Sequence, residues 1–299
     1  MTPSFAPDAT LTLTNLKKVF WEADGLTKGD LLDYYRAAAP IILPYLADRP
    51  MVLHRHVDGH GGKEFFQRVS RTCPPWVRIA RISVEGGKPR DFHVCQDWPT
   101  LLWLANFGCI ELIPWASRVG TLDQPDYMVI DLDPGDVTFG QVVEVALATR
   151  RILEKIGVAG YPKTSGKRGL HIYVPFGRKY TFPQAKMLAE LVARLVHQKL
   201  PALTTLDPRT EQRQGRVYLD TTRNSRGQAV AAPYSARPHP GATVSTPLKW
   251  SEVGKRLDAS RFTIKTLLRR VDKVGDLWEP VLGSGIDLRE CLRHLEKLL

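Results

Sequence analysis

Residues 128–135 read MVIDLDPG: apolar side chains run into Asp131 and Asp133, and a Pro-Gly turn stops the run. Apolar residues ending at a turn predict a buried strand, here 127–133, yet Asp131 stands where an apolar side chain is expected. Residues i and i+2 of a strand share a face, so both carboxylates project together with Cα atoms roughly 7 Å apart. Two such groups repel, and one takes a proton unless cations neutralise both. Mg²⁺ suits that task, because it binds through one or two carboxylates plus water and phosphate oxygens. The residues alone leave a plainer arrangement open, with Asp133 capping the Asp-Pro-Gly turn and Asp131 facing solvent from an edge strand.

Other chemistries use two aspartates one residue apart. A calcium loop needs a ligand near its twelfth position, where Val142 sits. Phosphohydrolases of the haloacid-dehalogenase type follow the pair with a small residue and Thr, whereas Pro134 and Gly135 follow it here. A metal-dependent glycosyltransferase stays open, and a phosphate-binding element downstream is what discriminates.

The charge balance points to a polyanionic partner. Lys and Arg total 42 against 31 Asp and Glu, a formal charge of +11 over 299 residues. The cations cluster. No acid lies between Glu64 and Glu85, while Arg68, Arg71, Arg78 and Arg81 do; residues 155–189 and 221–251 are likewise free of acids. Cys73, Cys95, Cys109 and Cys291 are widely spaced with no C-x-x-C pair, so neither a disulfide framework nor a cysteine zinc site is expected. The N-terminus MTPSFAPDAT has no export signal and no apolar run reaches the roughly 18 residues of a membrane span, so a cytoplasmic, nucleoid-associated protein with no membrane partner is expected.

Periodicity predicts helices over 28–43, 100–107, 139–156, 183–199, 260–271 and 287–298. Strands are expected over 51–56, 77–84, 110–113 and 127–133, near Tyr161, over 170–174, ending at Asp220, and over 228–232. The elements pair a sheet with covering helices, so the class is α+β or mixed α/β. The polar, Pro-containing stretch 118–126 is the expected internal boundary of a single domain spanning 1–299, with parts at about 1–120, 121–282 and 283–299.

KTSGKRGLHIYVPF, residues 163–176, supplies the phosphate element. Gly166 and Gly169 let backbone approach an anion, Ser165 offers a hydroxyl, Lys167 and Arg168 offer charge, and His171, opposite in facing to Leu170 and Ile172, can donate to a phosphate. Alone, this stretch is equally a basic hairpin turn. In GRVYLDTTRNSRGQAVAAPYSARP, residues 215–238, Asp220 ends a predicted strand much as Asp133 does, with Arg223, Asn224 and Arg237 beyond.

Together these segments resemble the archaeo-eukaryotic primase superfamily, and most closely the polymerase domain of the bacterial ATP-dependent DNA ligase D of non-homologous end joining. LTNLKKVFW, TKGDLLDYY, GKEFFQ, PTLLWLANFGCIEL, DYMVIDLDPGD, TSGKRGLHIYVP, VYLD, APYSARP and GDLWEPVL match in order from about Leu13 to Leu282. The resemblance implies an α+β primase-polymerase core, with a metal-bearing sheet flanked by helices and an N-terminal α/β module packed on it. It implies a template-directed nucleotidyltransferase that fills gaps and extends primers at broken DNA ends, with a preference for ribonucleotides. It assigns Asp131, Asp133 and Asp220 to two Mg²⁺ or Mn²⁺ ions serving the primer 3′-hydroxyl and the leaving pyrophosphate. It assigns Ser165, Arg168, His171, Arg223 and Arg237 to the nucleoside triphosphate, and Lys18 and Lys28 to a 5′-phosphate at a gap or break. Phe65 and Phe66 become template-stacking aromatics, one of them expected to be core, with Arg55 nearby on DNA. It also implies a Ku-type end-binding protein and a DNA ligase as partners.

One departure stands out: the family's ELHPW reads ELIPW here, with Ile113 unable to ligate or donate. That change makes a non-catalytic DNA-end-binding module the alternative, the glycosyltransferase ranking third. The chain carries no K-x-D-G ligase motif and no phosphoesterase module, and reads as a stand-alone polymerase or an excised domain.

Overall fold

In the computed structural model, residues 11–67, 69, 73–83 and 87–298 are described. Arg68 and Arg71 of the first basic run, and Val84 at the end of an expected strand, lie outside them. The chain divides into two units, the first drawn from the stretch up to Trp115 with Ala229–Ser245 and Ser260–Gly275, the second from Ala116–Gln228, Thr246–Ala259 and the stretch from Asp276 onward.

In the first unit β1 (Val19–Trp21) pairs antiparallel with β2 (Leu26–Thr27) and leads into α1 (Lys28–Leu46). TKGD is a capping box: the Thr27 hydroxyl accepts from the Asp30 amide at 3.2 Å, and the Asp30 carboxylate accepts from the Thr27 amide at 2.8 Å. The helix buries Leu31, Leu32, Tyr35 and Ile42 and continues past Pro40 and Pro44 to Leu46, further than expected. β3 (Met51–His56) lies between β4 (Glu64–Gln67) and, later in the chain, β7 (Cys109–Pro114). A separate ladder joins β5 (Ile79–Ile82) to β6 (Arg90–His93), and α2 (Trp98–Asn106) starts where the Asp97 carboxylate accepts from the Thr100 amide. The returning segment is held by Tyr34, whose hydroxyl donates to the Tyr234 carbonyl at 2.6 Å. The strand expected over 228–232 is only an isolated bridge, Trp115 to Ala229. The helix expected from 260 begins at Leu267, because Thr266 donates its hydroxyl to the Arg261 carbonyl and accepts from the Thr263 amide, side-chain bonds that compete with a helical turn.

The second unit is built on a five-stranded sheet of β8 (Tyr127–Asp133), β9 (Tyr161–Thr164), β10 (Leu170–Pro175), β11 (Thr204–Thr205) and β12 (Val217–Asp220), in the order β11-β12-β8-β10-β9. Met128, Ile130 and Leu132 are fully buried on one face of central β8. Helices α3 (Phe139–Lys155) and α4 (Phe182–Lys199) pack on this sheet, and Gly160 lies between Leu153 of α3 and Ile172 of β10. Both helices open with Thr–Gln capping boxes, Thr138 with Gln141 and Thr181 with Gln184. β10 is buried along its whole length, Tyr173 lying against Tyr127 and Trp278 at ring separations of 4.8 and 4.9 Å. Among the described residues no helix is long and apolar enough to cross a membrane.

Candidate functional site

Strand register sets the centre of the second unit. Asp131 stands opposite His171 of β10 on one side and opposite Asp220 of β12 on the other, and His171 in turn stands opposite Lys163 of β9. A transverse row, Lys163–His171–Asp131–Asp220, therefore crosses four strands on one face. Asp133 lies two residues along β8, opposite Tyr218. Lys163 Nζ is 2.9 Å from His171 Nδ1, and His171 Nε2 is 3.4 Å from Asp131 Oδ1. An ammonium can only donate, so Nδ1 accepts and the imidazole proton sits on Nε2, aimed at Asp131.

Burial and the neighbouring Asp220 push the Asp131 carboxyl up to about 7, Asp133 adding to the rise while Arg223 and Lys163 oppose it. Arg223 Nε lies 3.2 Å from Asp220 Oδ2 and 3.9 Å from Asp131 Oδ2. The other Asp220 oxygen accepts from the Thr222 amide and hydroxyl. Arg213 donates to Asp133 Oδ2 at 2.7 Å and lies over the Tyr218 ring. Three carboxylates so placed, one held back from ionising mainly by burial and then by another of the set, are an all-oxygen donor set suited to a hard divalent cation. The residues fit such an ion.

In the turn before β10 the Ser165 hydroxyl accepts from the amides of Lys167 and Gly169, at 3.1 and 3.0 Å. Gly166 takes φ +73°, which favours glycine, and a Cβ on Gly169 would meet the Leu132 carbonyl at 2.6 Å, which requires it. Ser165 is buried, whereas Lys167 and Arg168 are exposed. Lys163 and Arg213 are what sequence reasoning missed. Lys163 could have been found by pairing the hairpin backward from His171; Arg213 sits in an irregular loop with no local signal.

The remaining expected residues lie in the first unit. Lys18, Lys28 and Arg55 line one cavity of about 270 Å³ together with Asn15 and Asn106. Lys18 Nζ donates to the Val57 carbonyl and to Asp58, and Lys28 Nζ to the Thr14 carbonyl. Burial, then the Lys18 charge, lowers Lys28 to about 8. Arg55 stacks over Phe107 at 3.6 Å and lies 5.2 Å from the Phe65 ring centre. Neither aromatic is core: Phe65 is 36% and Phe66 69% exposed, because β4 is the edge strand of its sheet. Arg237 Nε pairs with buried Glu111 at 2.8 Å. Ile113 is half-buried on β7 opposite Val52.

Residues 27–278 match the family described as LigD, primase-polymerase domain. The chain is 32% identical over 273 residues to the multifunctional non-homologous end joining protein LigD of Mycolicibacterium smegmatis, covering 90% of this chain and 36% of that protein. The bifunctional LigD of Bacillus subtilis is 31% identical over 268 residues, 89% of this chain and 43% of that protein. The chain thus spans less than half the length of these relatives. The structure is similar to the polymerase domain of Mycobacterium tuberculosis ligase D in complex with DNA, with TM-score 0.84, 31% identity, and coverage of 92% of this chain and 99% of that one.

Proposed function

The chain belongs to the LigD primase-polymerase family and is a nucleotidyltransferase domain of the polymerase type, and from that premise we propose that it fills gaps and extends primers at DNA double-strand breaks, with ribonucleotides preferred. The observation that supports this most directly is the row Lys163–His171–Asp131–Asp220 with Asp133 beside it. Asp131, Asp133 and Asp220 would hold two ions, Mg²⁺ or Mn²⁺, which when bound supply Lewis-acid activation of a hydroxyl and neutralise developing phosphate charge.

The protein's own groups position the reaction, in which the primer 3′-oxygen bonds to the α-phosphorus and the bond to pyrophosphate breaks. His171, its proton held on Nε2 by Lys163, donates to a phosphate oxygen. The Ser165 turn and Arg168 hold the triphosphate, Arg223 counters its charge beside Asp220, and Arg237 is the further nucleotide residue that the resemblance to the family assigns. Lys18, Lys28 and Arg55 receive a 5′-phosphate in the cavity they line, and exposed Phe65 and Phe66 stack on template bases. A Ku-type protein and a DNA ligase complete the break-repair setting.

Primer extension on a gapped duplex, with Mg²⁺ or Mn²⁺, tests the reading. Asp131→Ala and Asp133→Ala should abolish nucleotide addition while DNA binding, which rests on the basic surface, stays largely intact. Full activity in either variant overturns it.

A further inference from the structure

We propose that His54, His56 and Glu64 bind a transition-metal ion of the Zn²⁺ class, at a site made from residues other than the carboxylates of β8 and β12. Alternation on β3 puts His54 and His56 on one face, and the antiparallel register sets Glu64 of β4 opposite His56 and Phe66 opposite His54. One ligand atom from each of the three residues lies within 4.8 Å of the others. Glu64 Oε2 is 3.2 Å from His56 Nδ1 and 3.7 Å from His54 Nε2. Ligands about 2.1 Å from a tetrahedral ion are separated by roughly 3.4 Å, so these spacings already match such a shell.

The surroundings prepare the ligands. Glu111 Oε1 lies 2.6 Å from His54 Nδ1 and holds the proton on that nitrogen, leaving the Nε2 lone pair directed at Glu64. A carboxylate on the far nitrogen of a ligating imidazole is the arrangement that orients histidines at zinc and raises their basicity. Arg237 anchors the other oxygen of Glu111, and Phe66 stacks on the His54 ring at 4.2 Å with an 11° tilt, fixing its plane. His54 is 10% and His56 0% exposed, whereas Glu64 is 58% exposed, so two dry imidazoles face a carboxylate at the solvent side and leave room for water as a fourth ligand. Two imidazoles and one carboxylate favour Zn²⁺, Co²⁺ or Ni²⁺ over Mg²⁺, which takes oxygen donors. The bound ion would clamp β3 to β4, the hairpin that carries Phe65 and Phe66.

The test uses the whole chain stripped of metal and titrated with Co²⁺, whose low-symmetry complexes absorb visible light far more strongly than its hexaaqua ion. One Co²⁺ per chain should give such absorption, and Zn²⁺ should displace it. Glu64→Gln, at an exposed position that leaves folding intact, should weaken binding about tenfold or more, and His56→Ala should remove the signal. The Asp131→Asn, Asp133→Asn double variant should keep it. Absence of the absorption in the wild type overturns the proposal, as does a wild-type titration in Glu64→Gln or loss of the signal in the double aspartate variant.

Discussion

Replacing Asp131 with Asn should stabilise the metal-free protein while destroying its activity. Asp131 carries a carboxyl raised from 3.8 to about 7 by burial and by Asp220. The folded state therefore holds a proton that the unfolded chain releases, and stability declines as pH rises from about 4 to about 7. Above that window the full penalty applies: three pKa units at 1.36 kcal/mol each is about 4 kcal/mol. Asn mimics the protonated carboxyl at every pH. In chelator, urea unfolding should show Asp131→Asn more stable than wild type by up to about 4 kcal/mol at pH 8, shrinking to less than half of that at pH 5, where only the unfolded carboxyl ionises. Excess Mg²⁺ should then stabilise the wild type and leave the variant unmoved, because only the charged triad binds the ion strongly. An Asn variant no more stable than wild type at pH 8 in chelator would refute the reasoning, and so would a gap independent of pH.

Three further outcomes are expected. Arg237→Ala should raise the apparent KM for nucleotide, by the equivalent of about 1.5–3 kcal/mol, with the Kd for DNA scarcely changed; weaker DNA binding with unchanged KM would move this arginine to the template. Preference for a 5′-phosphate over a 5′-hydroxyl gap should fall between pH 7 and pH 9, as Lys28 loses its proton near 8, and should vanish in the Lys18→Ala, Lys28→Ala double variant; equal affinity of the wild type for the two DNAs at pH 7 would contradict it. Phe66→Ala should leave the unfolding midpoint nearly unchanged, since the side chain is 69% exposed, while weakening binding to template overhangs by about 1–3 kcal/mol; a large loss of stability would make Phe66 a structural residue instead.

Much of the chemistry was legible in the chain because it is encoded locally. The apolar run and the Pro134-Gly135 stop delimit β8 at its observed ends, and the i, i+2 rule places Asp131 and Asp133 on one face without any knowledge of the fold. The capping box of α1 and the helical spacing that follows are equally local. Phe65 and Phe66 show where local reasoning fails. Adjacent strand residues point to opposite faces, which predicts one buried ring, but β4 is an edge strand and one ring packs on His54 while the other approaches Arg55, so both keep solvent contact.

What only tertiary structure decided was register. The sequence contains Lys163, His171, Asp131 and Asp220 as four residues spread over 90 positions; nothing in their neighbours says that they align across four strands. That alignment follows from burying Ile130, Leu132, Leu170 and Ile172 beneath α3 and α4, since a one-residue slip would turn the whole apolar set outward. His54 and His56 share a face of β3, but Glu64 joins them only through the hairpin ladder, and Arg213 reaches Asp133 only because its loop folds back over Tyr218. Periodicity is written in adjacent residues, whereas the meeting of distant charges is set by the packing of the apolar residues between them.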